Sequence, residues 1–199
     1  AITCGAGTVV QTGDFKIDTT PIDDFVIDIG RFSELGKQGV LALMSDSTNA
    51  ARPGYTPSER IVGETFSKFF SQAGDSRIIV ATFSSNIHRI QQIIDEAVHC
   101  GRKVAVSGRS MINVVSVASE LGYLNVPDNV LVDIDMIKNY PANEMVIVTT
   151  GSQGEPMSAL HRIAFSEHRQ VEIIPGDMII ISANPIPGNE KLVNKVINE

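Results

Sequence analysis

Two aspartates stand where a carboxylate could do chemistry. Asp14 lies in Thr12-Gly13-Asp14-Phe15-Lys16, just past the apolar run Thr8, Val9 and Val10, and Asp46 lies in Ser45-Asp46-Ser47-Thr48-Asn49, just past the run Val40 to Met44. A carboxylate placed where a buried strand breaks off reaches into a cleft, and metal sites are built in this way. For either residue taken alone, an ordinary turn aspartate is the competing reading.

A second group of candidates sits after the later apolar runs. Phe83-Ser84-Ser85-Asn86 follows Arg77 to Thr82, and Ser107-Gly108-Arg109-Ser110 follows Lys103 to Val106. Gly151-Ser152-Gln153-Gly154-Glu155 follows Val146 to Thr150, and Ser182-Ala183-Asn184-Pro185 follows Ile179 to Ile181. Each stretch offers hydroxyls and backbone N–H groups to an oxyanion, and Arg89 and Arg109 add guanidinium charge. The set predicts one edge that takes a phosphate-rich ligand, lined by Ser84, Ser85, Asn86, His88, Arg89, Ser107, Gly108, Arg109, Ser110, Ser152 and Gln153. Any single stretch by itself reads as an ordinary helix cap, and it is the set together that points to phosphate.

His88 falls in the first turn of a predicted helix, opposite its Ile87, Ile90 and Ile94 stripe, where it faces either the same crevice or solvent. His99, His161 and His168 show no HxH or HExxH spacing and read as surface residues. Cys4 and Cys100, far apart and without a CxxC, read as buried thiols. No GxGxxG opens a helix, and there is no GxSxG elbow and no Walker lysine loop.

The elements that must carry these groups follow from periodicity. Residues 1 to 30 alternate short apolar runs, the last being Phe25-Val26-Ile27, with turn chemistry and read as β-rich. Gly30 to Gly36 reads as one or two helical turns closed by Gly36. From Val40 onward, compact apolar runs alternate with amphipathic helical patterns, which predicts an α/β domain with a parallel sheet covered by helices on both faces. Thr56-Pro57-Ser58-Glu59 reads as a capping box opening a helix whose apolar face is Val62, Phe66, Phe69, Phe70 and Ala73. Further faces are Ile87, Ile90, Ile94, Ala97 and Val98; Met111, Val114, Val115, Ala118 and Leu121; and Met157, Leu160, Ile163 and Ala164 behind Pro156. The polar loop at 50 to 58 is a candidate functional loop.

The 199 residues and 43% hydrophobic content suit one large domain, or one domain with part of another. No apolar run approaches the ~20 residues of a membrane helix and no amino-terminal signal stands out, so a cytoplasmic, membrane-free protein is expected. The formal net charge of −7 argues against gripping nucleic acid by charge alone, while leaving room for a local basic cleft. Both ends read as cut from a longer protein.

Six ordered stretches resemble the ribonuclease J family. They are Thr12 to Lys16, Ser45 to Asn49, Ala81 to Arg89, Gly108 to Met111, Thr150 to Pro156 and Ala183 to Glu190. These enzymes are RNA-processing hydrolases of the metallo-β-lactamase superfamily with an inserted β-CASP domain. The resemblance implies a fragment of a metallo-β-lactamase domain at 1–37, the β-CASP domain at 38–182, and the start of the return to the first domain at 183–199. It implies cleavage of RNA phosphodiester bonds, as an endonuclease and as a 5′-to-3′ exonuclease favouring a 5′-monophosphate, in a homo-oligomer that uses two zinc ions. Asp14 would bridge the metals and Asp46 would orient a catalytic histidine, while the strand ends would line the RNA channel.

The family's HxHxDH motif, its further histidine before the TGD strand and its two β-CASP histidines have no counterpart in this sequence. The expectation is therefore an RNA-binding piece that holds no zinc and is inactive by itself. A non-catalytic nucleotide- or sugar-phosphate-binding α/β module is the alternative, and a lactamase-fold hydrolase of a small ester or lactam leaves the large α/β region unexplained.

Overall fold

The β-branched Thr8, Val9 and Val10 form the middle of a small sheet. β1 (Ile2–Cys4) and β2 (Gly7–Gln11) make an antiparallel hairpin, and β2 pairs in parallel with β3 (Ala42–Met44), Val9 opposite Ala42. The sequence reading places Val40 to Met44 in the large parallel sheet instead. The crossover through α1 (Ile29–Gln38) is long enough to bring β3 parallel to the free side of β2, and that local β-α-β pairing wins. This computed structural model describes residues 1–48, 50, 51 and 53–199 and divides into two compact units, Ala1–Ile61 and Val62–Glu199. Asn49 of the second aspartate motif and Arg52 of the 50–58 loop lie outside the described residues.

Three local expectations change in the first unit. Residues 12–28 contain no strand, because side chains bond the backbone into turns: Asp18 accepts from the Thr20 amide at 3.0 Å and Asp23 from the Phe25 amide at 3.2 Å. α1 has ten residues rather than one or two turns. The Asp28 carboxylate caps it by accepting from the Arg31 amide at 2.8 Å, and it ends at Gly39, with Gly36 inside it. α2 (Glu59–Gln72) begins later than the capping box predicts. Ser58 is its cap, with Oγ accepting from the Arg60 amide at 3.3 Å, and the first amide, at Glu59, donates at 3.2 Å to Asp18 Oδ2, 41 positions earlier.

In the second unit, β4 (Ile78–Ala81), α3 (Ile87–His99), β5 (Lys103–Ser107), α4 (Arg109–Glu120), β6 (Leu131–Val132), β7 (Met145–Thr149), α5 (Ala159–Ala164), β8 (Met178–Ile181) and α6 (Glu190–Asn198) follow in order. The five strands are all parallel, in the order β6-β5-β7-β4-β8. Strand alternation splits the apolar side chains between two cores. Ile78, Val80, Val104, Val146 and Val148 pack with Phe66, Phe70, Ile90, Ile94, Met111 and Val115 of α2, α3 and α4. Ile79, Ala81, Ala105, Met145 and Ile147 pack with Leu160, Ile163 and Val196 of α5 and α6. Helices therefore cover both faces, as the sequence predicts.

Some predicted face residues stay outside: Phe69, Val98 and Leu121 are exposed, and Met157 precedes α5 and is exposed too. α6, in the segment expected to leave this domain, packs here through Val193 and Val196. Arg77 and Asp177 fasten the starts of β4 and β8 with two guanidinium–carboxylate bonds, at 3.0 and 2.5 Å, and the Asp177 side chain is 1% exposed. Both cysteines are free and exposed, against expectation. Cys4 lies on an edge strand with no buried residue, and Cys100 caps α3 beyond its apolar face. No described helix is long and apolar enough to cross a membrane.

Candidate functional site

Strand order locates the crevice in the second unit. From β4 the chain crosses through α3 to β5, while from β7 it crosses through α5 on the opposite face to β8. The loops after β4 and β7 thus diverge between adjacent strands, which is the topological switch point where open α/β sheets bind ligands. The Thr82 amide bonds Thr149 O at 3.1 Å across it. The Thr82 and Ser152 hydroxyls are buried there without a partner, although neither strand order nor Thr82 was readable in the sequence.

The predicted edge residues separate into two groups. Ser84 and Ser85 on the β4–α3 connection, His88 in the first turn of α3, and Arg109 and Ser110 at the start of α4, are exposed or half-buried. Gly108 starts α4 without any side-chain cap, at φ +103, and a Cβ there would come within 2.7 Å of Thr150 Oγ1. Glycine is therefore needed for the turn, and the first amides of α4 stay open to an anion.

The others hold the loops together. Asn86 Oδ1 caps α3 by accepting from the Arg89 amide at 3.1 Å, and Arg89 Nη1 donates to Ser182 O at 2.8 Å. Gln153, 2% exposed, donates to Asn184 O at 3.0 Å and accepts from the Ile186 amide at 2.7 Å. Gln153 and Ser152 were expected at the ligand surface. Both are buried instead, because the Gln153 amide clasps the β7–α5 loop to the β8–α6 loop.

His161 and His168 also depart from their reading as surface residues. His161 is half-buried and stacks on Phe165 at 4.4 Å between ring centroids. His168 is half-buried, with Nε2 2.9 Å from Ser107 Oγ and Nδ1 accepting from the Gln170 and Val171 amides at 3.3 and 3.1 Å. Burial, then the neighbouring Arg162 cation, holds its pKa below the ordinary histidine value, which favours the neutral ring.

In the first unit the two aspartates occupy the ends of the paired strands β2 and β3. Asp14 is exposed, following Gly13 at φ +62. The Asp46 amide donates to Thr12 Oγ1 at 3.0 Å, which ties the two strand ends together. Asp46 Oδ1 accepts from Thr48 Oγ1 at 2.6 Å and from the Thr48 amide at 2.9 Å; these bonds, side chain first, hold its pKa below the usual carboxylate value. Among the described residues no three His, Cys, Asp or Glu side chains cluster as a metal site. Catalytic zinc takes about three protein ligands, so the donors present do not fit a zinc centre.

Comparison with known proteins agrees with this architecture. The family profile described as Ribonuclease J, beta-CASP domain, matches residues 75–199, more than half of the chain. Ribonuclease J of Helicobacter pylori strain J99 is 49% identical over 198 residues, which is 100% of this chain and 28% of the relative. Ribonuclease J of Thermus thermophilus is 50% identical over 192 residues, 96% of this chain and 33% of the relative. Ribonuclease J2 of Bacillus subtilis is 46% identical over 193 residues, 96% and 34% respectively. The chain thus spans about a third of the length of these relatives. With the five-stranded sheet and its loops inside the matched region, the chain belongs to the ribonuclease J family and carries its β-CASP domain.

Proposed function

We propose that this chain supplies the RNA-binding part of a ribonuclease that hydrolyses phosphodiester bonds, and that the carboxyl edge of its parallel sheet holds the RNA backbone. The observation that carries this reading is the uncapped start of α4, where open amides, Arg109 and Ser110 meet at that edge. An anionic oxygen there gains both the helix N-terminus and the guanidinium. Membership of the family supports RNA as the ligand.

The family reading extends to a 5′-monophosphate preference, to both endonuclease and 5′-to-3′ exonuclease action, to homo-oligomers in the cytoplasm, and to the domain limits at 37/38 and 182/183. It makes Asp14 a metal-bridging carboxylate and Asp46 the residue that orients a histidine. The family implies two zinc ions, which would activate water and stabilise the leaving oxygen. The described residues do not supply the ligands for them. The part assigned to this chain is accordingly binding and positioning.

Calorimetric titration of the 199-residue chain with a 5′-monophosphorylated oligoribonucleotide, its 5′-hydroxyl counterpart and a mononucleotide tests this. Arg109→Ala is expected to weaken both oligonucleotides about tenfold, the scale of one charge-assisted hydrogen bond. Unchanged affinities in both Arg109→Ala and Ser84→Ala would overturn the phosphate edge. A mononucleotide that binds as tightly as the oligomer would favour the nucleotide-binding module.

A further inference from the structure

We propose that His168 is a positioning residue that orients the Ser107 hydroxyl toward an anionic oxygen at the sheet edge. The inference rests on the reading of that edge as a phosphate-binding site. A ring nitrogen that accepts two amide hydrogens cannot carry a proton, so Nδ1, with Gln170 and Val171 at 3.3 and 3.1 Å, is bare. The neutral ring then holds its proton on Nε2, which faces Ser107 Oγ at 2.9 Å. His168 is therefore the donor and Ser107 the acceptor.

That assignment leaves the hydroxyl proton of Ser107 for another acceptor, and none of the described residues takes it. Ser107 is 3% exposed, closes β5 opposite Thr149 of β7, and directly precedes the uncapped turn at Gly108. A hydroxyl fixed from behind by a donor, one residue before the uncapped turn, presents its proton to an oxyanion without the cost of ordering the rotor on binding. The ring itself is anchored because Val171, whose amide it accepts, is buried in the α5-side core.

Two measurements decide the matter in the 199-residue chain. Nitrogen-15 NMR of the histidine rings is expected to show His168 protonated at Nε2 and bare at Nδ1; the opposite tautomer overturns the proposal. Titration with the 5′-monophosphorylated oligoribonucleotide is expected to show about tenfold weaker binding for Ser107→Ala and for His168→Asn, which keeps an acceptor for the two amides but lacks the reach to Ser107. The double variant is expected to be no weaker than either single one, and His168→Gln, which restores a donor near Nε2, is expected to recover affinity. If Arg109→Ala weakens binding while Ser107→Ala and His168→Asn do not, the edge stands and the positioning role is overturned. If Arg109→Ala also has no effect, the phosphate edge itself fails and the inference fails with it.

Discussion

The two units of this chain are held by different interactions. In Ala1–Ile61 the buried hydrophobic side chains among the described residues are Val10 and Leu35, while Phe25, Leu41, Leu43 and Met44 are exposed. Its loops are instead tied by polar groups, with Asp18, Asp28 and Asp46 each accepting from backbone amides. In Val62–Glu199 two filled cores flank the sheet, and polar bonds are added where loops must be clasped. Side-chain caps set local geometry but contribute only about 0.5–2 kcal/mol each, whereas burial of one large aliphatic side chain is worth about 1.5–3 kcal/mol. The second unit should therefore form the stable scaffold, and the first should open at lower free energy.

Substitutions can break or sharpen that contrast. The largest loss is expected for Asp177→Ala, which removes the buried carboxylate from the half-buried Arg77 guanidinium and should cost about 3 kcal/mol or more in chemical denaturation of the second unit. Next is Gly154→Ala, because a Cβ at this φ +72 position would fall on the backbone of Leu192 and Val193. A cost of about 3 kcal/mol by thermal melting, with α6 the first element to lose hydrogen-exchange protection, is the expected result.

Leu35→Ala should cost only about 2 kcal/mol, at the low end for core truncations, read from exchange of the β2 amides. A loss as large as that of Asp177→Ala would show the first unit to be as tightly packed as the second. Asn86→Ala removes the α3 cap and should cost about 1 kcal/mol.

The smallest effect concerns the polar ties of the first unit. The folded pKa of Asp46 is depressed, so its stabilisation is present above the unfolded value of 3.8 and is lost as the pH falls through the lower folded value. The Thr48 amide resonance should therefore titrate with a midpoint below 3.8. A midpoint above it would mean that the Thr48 bonds do not hold in solution.

Much of the scaffold was legible in the residues. The apolar runs at 78–81, 104–106 and 145–148 contain no polar side chain, so they read as buried parallel strands. Gly74 and Gly101, just past α2 and α3, adopt positive φ, the conformation that makes glycine a readable helix stop. The strand at 42–44 was misplaced because a three-residue run does not say which edge it will join. The α2 start was misplaced because Ser58, inside the expected capping box, is itself the cap, and the Glu59 amide goes to Asp18 of a distant turn.

The candidate site was legible only as a composition. Ser84, Arg109 and Ser110 were found as polar residues after strands, since side-chain chemistry is local and visible in one dimension. Gln153 was indistinguishable from them, although the fold turns its amide inward to clasp a second loop.

Residue type and periodicity by themselves determined that this chain makes a parallel sheet covered on both faces, with hydroxyls and arginines after its strands. Only the tertiary structure decided the strand order that puts the β4 and β7 loops at a switch point. Only it paired His168 with Ser107, 61 positions away. The physical reason is that helix and strand follow from spacing of a few residues, whereas a hydrogen bond between distant side chains exists only once packing has fixed both ends.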